Sequence, residues 1–335
     1  MGTRALQWAA PQQQEEESMG PAELVQATAI ARQYYLEGMA KTDIAAQHGI
    51  SRYKVARILD ACVAEGIVRI EITGSAAVDT ELSERLRRHY RLKHALVVSG
   101  PFPDGEGLRD ALGRAAADLL AETLTEDDVL GVAWGRTLDA MARQVKDLPP
   151  CRLVQMTGIA GAVQASSVDL IRQLTSVTRG PHHPIYAPLM VSDRHTGEAL
   201  RRQAGIHAAV SRWPDITVAV VAVDGWSSHG SQVYDVLTDD DREELANLDV
   251  ASEMCSIFFD RDGRPVPTTL AERTMAIPHS QLGRIPEVIA VAGGTEKTEA
   301  LQSVLRGSTV TSVVTDAAVA TELLAREPET EHERR

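Results

Sequence analysis

The sequence predicts a two-part α/β protein, a small N-terminal domain of paired helices followed by a large domain built on a parallel sheet. Three observations predict it. Two helical stretches, around 41–48 and 51–64, are joined through Gly49. From about residue 95, short apolar runs alternate with stretches of helical period, the pattern of buried strands and the helices that cover them. The length, 335 residues with 44% hydrophobic, fills about two domains at ~100–200 residues each.

The elements follow in order. Residues 1–20 are rich in Gln, Glu and Ala without an apolar period and read as a disordered tail. From 23 to 37 the residues Ala27, Ile30, Ala31, Tyr34 and Tyr35 recur at helical spacing, and Gly38 stops the helix. After the helical pair, 67–72 alternates apolar and polar as a half-buried strand does, a candidate wing. Residues 74–77 read as a linker, and 80–92 as a charged helix with Leu82, Leu86 and Tyr90 on one face. Buried strands are then expected at 95–98, 129–133, 153–156, 216–223, 255–259, 288–291 and 310–314, with clear helices at 108–124 and 296–305. The expected division is 1–20 tail, 21–74 helix-turn-helix domain, 75–94 linker and connecting helix, and 95–328 ligand-binding and oligomerisation domain.

The helical pair carries the most specific local signal. Ile44 and small Ala45 face inward on its first helix, Gly49 supplies the tight turn, and Ile50 plugs the gap. Ser51 is a good N-cap for the second helix, on which Val55, Ile58, Leu59, Cys62 and Val63 form the expected core stripe. Ala40 stands where a Ser or Thr cap would suit the first helix. Lys41 and Thr42 at the start of the first helix, with Ser51, Arg52, Tyr53, Lys54 and Arg57 around the start of the second, are the candidate DNA contacts. A plain helical hairpin with a solvated basic face shares parts of this pattern, but rarely all of them.

The net charge of −13 argues against a protein that coats nucleic acid nonspecifically. Charge is therefore read by segment. No acidic residue lies between Ile44 and Leu59, whereas acid runs occur at 126–128 and 239–241. Cys62, Cys151 and Cys255 are odd in number, far apart and flanked by apolar residues, which fits buried, reduced thiols. No apolar stretch approaches the ~20 residues that span a bilayer and no export signal is evident, so a cytoplasmic protein is expected. The pair His182-His183 and the distant His195 do not make a metal spacing; neither metal nor cofactor is expected.

Several motifs in order resemble the SorC family of sugar-binding transcriptional regulators. They are Ala31-Arg-Gln-Tyr-Tyr-Leu-Glu-Gly, Asp43-Ile-Ala-Ala-Gln-His-Gly-Ile-Ser and Ala64-Glu-Gly-Ile-Val-Arg-Ile-Glu-Ile. In the large domain they are Leu130-Gly-Val-Ala-Trp-Gly-Arg-Thr-Leu, Phe258-Phe-Asp-Arg-Asp-Gly-Arg-Pro-Val and Ile285-Pro-Glu-Val-Ile-Ala-Val-Ala-Gly-Gly-Thr-Glu-Lys. The resemblance spans about residues 22–325. It implies a winged helix-turn-helix joined to a Rossmann-like domain resembling sugar-phosphate isomerases and deaminases. It further implies a phosphorylated sugar or polyol effector that alters affinity for double-stranded operator DNA, in a homo-oligomer, usually a tetramer.

Strand ends locate the expected effector site. Gly135, Arg136 and Thr137 follow the strand at 129–133 and open a helix, a workable phosphate cradle. Taken alone this is a common strand-to-helix turn, and the resemblance raises it to a candidate site. Thr157-Gly158, Asp224-Gly225 and Gly293 occupy equivalent strand ends and are expected to line the same pocket, with Gln164, Asp224 and Lys297 as polar contacts. Asp262-Gly263 reads as a hairpin turn. An isomerase- or deaminase-like enzyme with a DNA-binding arm is the alternative. It needs a placed general base or a desolvated lysine, and Lys146 and Lys297, the lysines beyond residue 93, sit in no apolar run. A binding role without catalysis is the simpler expectation.

Overall fold

Contacts divide the chain into two units, 1–73 and 74–335. The computed structural model describes residues 20–68, 77–102, 104–159, 164–226, 231 and 233–326, excluding the side chains of 164–168. The expected tail, most of the wing at 67–72 and nearly all of the linker at 74–77 lie outside the described residues.

In the N-terminal unit, α1 (Pro21–Tyr35), α2 (Lys41–His48) and α3 (Arg52–Ala64) surround one small core. Pro21 suits the first turn of α1, where its missing N–H costs nothing. Ala27, Ile30 and Ala31 of α1 meet Ile44 and Ala45 of α2 and Val55, Leu59 and Cys62 of α3, all buried. Gly49 ends α2 in the left-handed region at φ +64°, where a β-carbon would be strained. Ser51 Oγ then accepts the Lys54 N–H at 3.2 Å and fixes the start of α3. Ile50 packs against the core as expected, but Val63 does not belong to it, being 46% exposed. The reason is angular: Val55, Leu59 and Cys62 follow i, i+4, i+7, and Val63 lies a further 100° round, past the edge of a two-helix contact. Tyr35 likewise ends α1 exposed rather than in the core.

The second unit runs α4 (Thr80–His89), β1 (His94–Val98), α5 (Gly105–Thr123), β2 (Val129–Val132), α6 (Arg136–Gln144), β3 (Arg152–Gln155), α7 (Gln164–Thr178) and β4 (His182–His183). It continues through α8 (Arg194–Arg201), α9 (Ala204–Val210), β5 (Val218–Ala222), β6 (Asp224–Gly225), α10 (Asp239–Ala246), β7 (Ser252–Met254) and β8 (Ile257–Phe259). The last elements are α11 (His279–Leu282), β9 (Glu287–Val291), α12 (Thr298–Arg306), β10 (Ser312–Asp316) and α13 (Ala317–Ala325). The expected connecting helix is α4, and its Leu86 is fully buried in the core of this unit.

Seven strands form a wholly parallel sheet in the order β1-β10-β9-β5-β2-β3-β4. Every residue of β2, β9 and β10 is buried, so both faces are covered. The chain steps outward from β2 through β3 to β4, then returns to place β5 beside β2 and proceeds the other way through β9 and β10. The winding therefore reverses between β2 and β5. Beyond their C-terminal ends such a reversal opens a crevice, the usual ligand position in a sheet of this kind.

One expected strand is corrected. The run 255–259 does not join the parallel sheet. Cys255 and Ser256 adopt φ of 55° and 60° and form a turn between β7 and β8, which with β6 make a small antiparallel sheet. A Glu253 carboxyl oxygen accepts the Ser256 N–H at 2.5 Å, so local turn bonding outweighs the apolar run. At the expected Asp262-Gly263 turn the chain does fold back: Asp260 N–H donates to Arg264 O, and Phe259 bridges Pro265.

Candidate functional site

A cleft lies at the reversal between β2 and β5. Its lining includes Gly105 and Arg109 of α5, Gly135, Arg136 and Thr137 at the start of α6, and Ala222 and Asp224 after β5. Gly293, Glu296 and Lys297 after β9 complete it. Gly135 holds φ +150°, and a β-carbon there would stand 3.0 Å from Ala222 Cβ. Only glycine allows the two strand ends this approach. As N-cap of α6 it offers no side chain, which leaves the first-turn amides available to an acceptor in the cleft.

The turn after β9 is built similarly. Gly294 precedes a short 3-10 turn, Thr295–Lys297, again with no side-chain cap. Its N–H donates to Asp316 Oδ2 at 2.7 Å, while Asp316 Oδ1 accepts Ala318 and Val319 N–H at the start of α13. One carboxylate thus locks the glycine turn onto the neighbouring strand end.

Three cations, Arg109, Arg136 and Lys297, converge on the cleft with two acids, Asp224 and Glu296. Lys297 Nζ donates to Asp224 Oδ1 at 2.6 Å, with side-chain exposures of 15% and 14%. Behind this pair, Glu253 stands opposite Asp224 in the β6–β7 register and is buried. Burial first, and the Asp224 charge second, push its carboxyl up to about 8; the Ser256 N–H and the Lys297 charge oppose the shift.

The expected effector residues thus divide. Gly135, Arg136, Thr137, Asp224, Gly293 and Lys297 come together. Thr157 and Gly158 do not reach this cleft, correcting the expectation of one shared pocket. Thr157 is fully buried and bridges Ala276, and the Gly158 N–H donates to Met275 O at 2.6 Å. The segment around 274–277 crosses the end of β3 and occupies those backbone groups. Gly225 is likewise spent, in β6, facing Ser252 of β7. Gln164 opens α7, but its side chain lies outside the described residues.

Sequence reasoning missed Gly105, Arg109 and Glu296. A signal existed for the first two: Asp104 caps α5 by accepting the Glu106 and Gly107 N–H groups. An Asp-Gly cap after a strand marks a helix start, three residues before the one expected.

In the N-terminal unit, the first two turns of α3 present Arg52, Tyr53, Lys54 and Arg57 to solvent, with Tyr53 84% exposed. Ser51 is exposed beside them. At the start of α2, Thr42 is exposed and its hydroxyl donates to Asp43 at a long 3.5 Å. Lys41 is less free, its ammonium standing 5.1 Å from the Tyr34 ring centroid.

A second, more apolar cleft of about 740 Å³, bordered by Trp213, Phe258 and Ile277, shares no lining residue with the first. Cys62, Cys151 and Cys255 are free and buried. Among the described residues no helix is long and apolar enough to cross a membrane. Among the same residues, no group of three or more His, Cys, Asp or Glu side chains is placed to hold a metal.

Residues 75–325 match the model of the family described as "Putative sugar-binding domain". The sequence is 25% identical to the sorbitol operon regulator of Klebsiella pneumoniae over 303 residues, covering 88% of this chain and 96% of the relative. It is 26% identical to the erythritol catabolism regulatory protein EryD of Brucella abortus over 304 residues, covering 88% and 94%. The crystal structure of the full-length sorbitol operon regulator SorC from Klebsiella pneumoniae superposes with a TM-score of 0.68 at 23% identity, covering 90% of this chain and 99% of that one. That likeness is one of fold.

Proposed function

The chain belongs to the SorC-type family of sugar-binding transcriptional regulators, and on that footing we propose that it controls a carbohydrate or polyol operon. In this reading, α3 enters the major groove of operator DNA, and an anionic sugar or polyol bound in the cleft changes the affinity of that contact. The observation that carries the reading is the convergence of the uncapped start of α6 with Arg109, Arg136 and Lys297 at the winding reversal. Bare amides and guanidinium groups recognise phosphate by charge and by geometry. We therefore assign the phosphate end of the ligand to Arg109, Gly135, Arg136, Thr137 and Lys297, and its hydroxyls to Asp224.

DNA contact is assigned to Lys41, Thr42, Ser51, Arg52, Tyr53, Lys54 and Arg57. Their chemistry fits: guanidinium and ammonium groups meet phosphate and guanine edges, and the exposed Tyr53 ring can meet a thymine methyl. Binding without turnover is part of the proposal. Lys297 is committed to an ion pair, so it is not the free amine that Schiff-base chemistry requires, and Asp224 is masked as a base by the same contact. A homotetramer in the cytoplasm completes the reading, since four basic side chains per copy give little affinity without repetition.

A thermal-shift screen of phosphorylated pentoses, hexoses and polyols, followed by operator gel shifts with and without each stabilising compound, tests the proposal. It fails if no compound stabilises the α/β unit. Turnover of a stabilising compound would replace the binding role with an enzymatic one.

A further inference from the structure

The cleft holds an unusual charge arrangement. Asp224 and Glu253 face each other across the β6–β7 ladder, and Lys297 is the cation that serves both. Glu253 is 6% exposed, and its carboxyl oxygen accepts the Ser256 N–H. Arg109 and Arg136 line the same cleft, but Lys297 is the cation in contact with Asp224, so at this pair two carboxylates meet one ammonium in a place with little water. The inexpensive solution is a proton on one of them. Asp224 has the 2.6 Å contact to Lys297; Glu253 is the deeper of the two and takes the proton.

An anion entering the cleft meets Arg109, Arg136 and Lys297, and of these Lys297 already has an acid partner in Asp224. As the ammonium turns toward the anion, Asp224 loses its compensation and the potential at Glu253 becomes more negative. Its proton is then held more tightly.

We propose that Glu253 is a positioning residue of the anion site, holding a proton that stabilises Asp224 when an incoming anion draws Lys297 away, so that anion and proton bind together. The proposal rests on the cleft being the effector site. The proton comes from solvent and sits on the Glu253 carboxyl; no bond in the ligand is made or broken. The other groups around Glu253 do not carry the effect. Cross-strand Phe258 is apolar, and the buried Cys255 thiol is pushed far up by burial and by Glu253, so it stays neutral. Glu299 of α12 is paired with Arg261. Glu296 lies in the cleft and bends back over Gly294.

The experiment uses the full chain and inorganic sulfate, an anion with no proton to exchange in the range studied. Binding is measured from pH 6.5 to 9.5 at constant ionic strength, for the wild type and for Glu253→Gln, whose amide resembles the neutral acid. The wild type should lose up to about tenfold in affinity for each pH unit above about 8. Glu253→Gln should lose that part of the pH dependence, its own pH 7 affinity being the reference. Calorimetry at pH 8 in two buffers of different ionisation enthalpy gives an independent readout, with net proton uptake in the wild type and less in the variant.

Identical pH profiles and equal proton uptake in the two proteins would overturn the role of Glu253 and leave the cleft assignment standing. If neither sulfate nor any sugar phosphate binds, the cleft assignment falls and this proposal with it. Glu253→Ala serves as a second variant should the amide disturb folding, with its own pH 7 affinity as the reference.

Discussion

Replacing Lys297 with Met removes the cation from a cleft that keeps both acids. At 2.6 Å, and with an effective dielectric of about 20, the Lys297–Asp224 attraction is on the order of 6 kcal/mol before desolvation is counted. Removing one partner of a buried pair typically costs about 3–5 kcal/mol, because the remaining ion is left without compensation. The 14–15% exposure of these side chains lets water recover part of that, so a loss of about 2–4 kcal/mol in the α/β unit is expected near neutral pH. Urea denaturation followed by far-ultraviolet circular dichroism measures it. The companion double variant Lys297→Met with Asp224→Asn should regain at least half of the loss, since no charge is then stranded. Both should lose sulfate and sugar-phosphate stabilisation. A Lys297→Met protein within about 0.5 kcal/mol of wild type, or a double variant no better than the single one, would refute the claim that the pair is electrostatically coupled.

Other consequences can be measured separately. Arg52→Ala and Arg57→Ala should each weaken operator binding and reduce the salt dependence of log K by about one unit per lost phosphate contact, with ligand stabilisation unchanged. Unaltered gel-shift affinity in both would move the DNA contact away from α3. Ser51→Ala removes the hydroxyl that accepts the Lys54 N–H and should cost the N-terminal unit about 1 kcal/mol, read from its own melting transition. Because Glu253 holds its proton to about 8 when folded and to its ordinary 4.5 when unfolded, stability drawn from it is full below about 4.5. That stability is lost as pH rises through about 8. Glu253→Gln should therefore flatten the stability–pH curve between those limits, and an unchanged slope counts against the assignment.

The parallel sheet was legible in the sequence because buried parallel strands are apolar on both faces. Runs such as 129–133 and 288–291 cannot serve as surface. The helical pair was legible for a different reason: Gly49 and Ser51 are punctuation whose geometry is nearly fixed by chemistry. Legibility failed where tertiary pairing overrides local pattern. Cys255 to Phe259 is apolar enough for a sheet strand, yet a turn pinned by the Glu253 carboxyl group sends it into a hairpin. The same limit explains Thr157 and Gly158. They occupy a correct strand end, but the backbone around 274–277, far along the chain, covers it, and no local signal marks that crossing. Glu253 itself was invisible in advance. Its importance comes from the register that sets it opposite Asp224, a property of strand pairing and not of the residue.

The proposed regulator has to solve an electrostatic problem at each of its two sites. At the DNA face, a chain of net charge −13 approaches a polyanion with few exposed cations, so long-range attraction contributes little and the contact depends on position. Linking copies raises the effective concentration of the second contact without adding charge, which makes oligomeric geometry the quantity most able to switch DNA binding on or off. At the cleft, an anionic ligand meets acids as well as cations, and on this proposal it draws Lys297 away from Asp224. A ligand that only filled space could not do so. One carrying charge rearranges the pair, the proton on Glu253 and the turn that holds Lys297, and that differential interaction is what a ligand needs in order to favour one state of the protein over another.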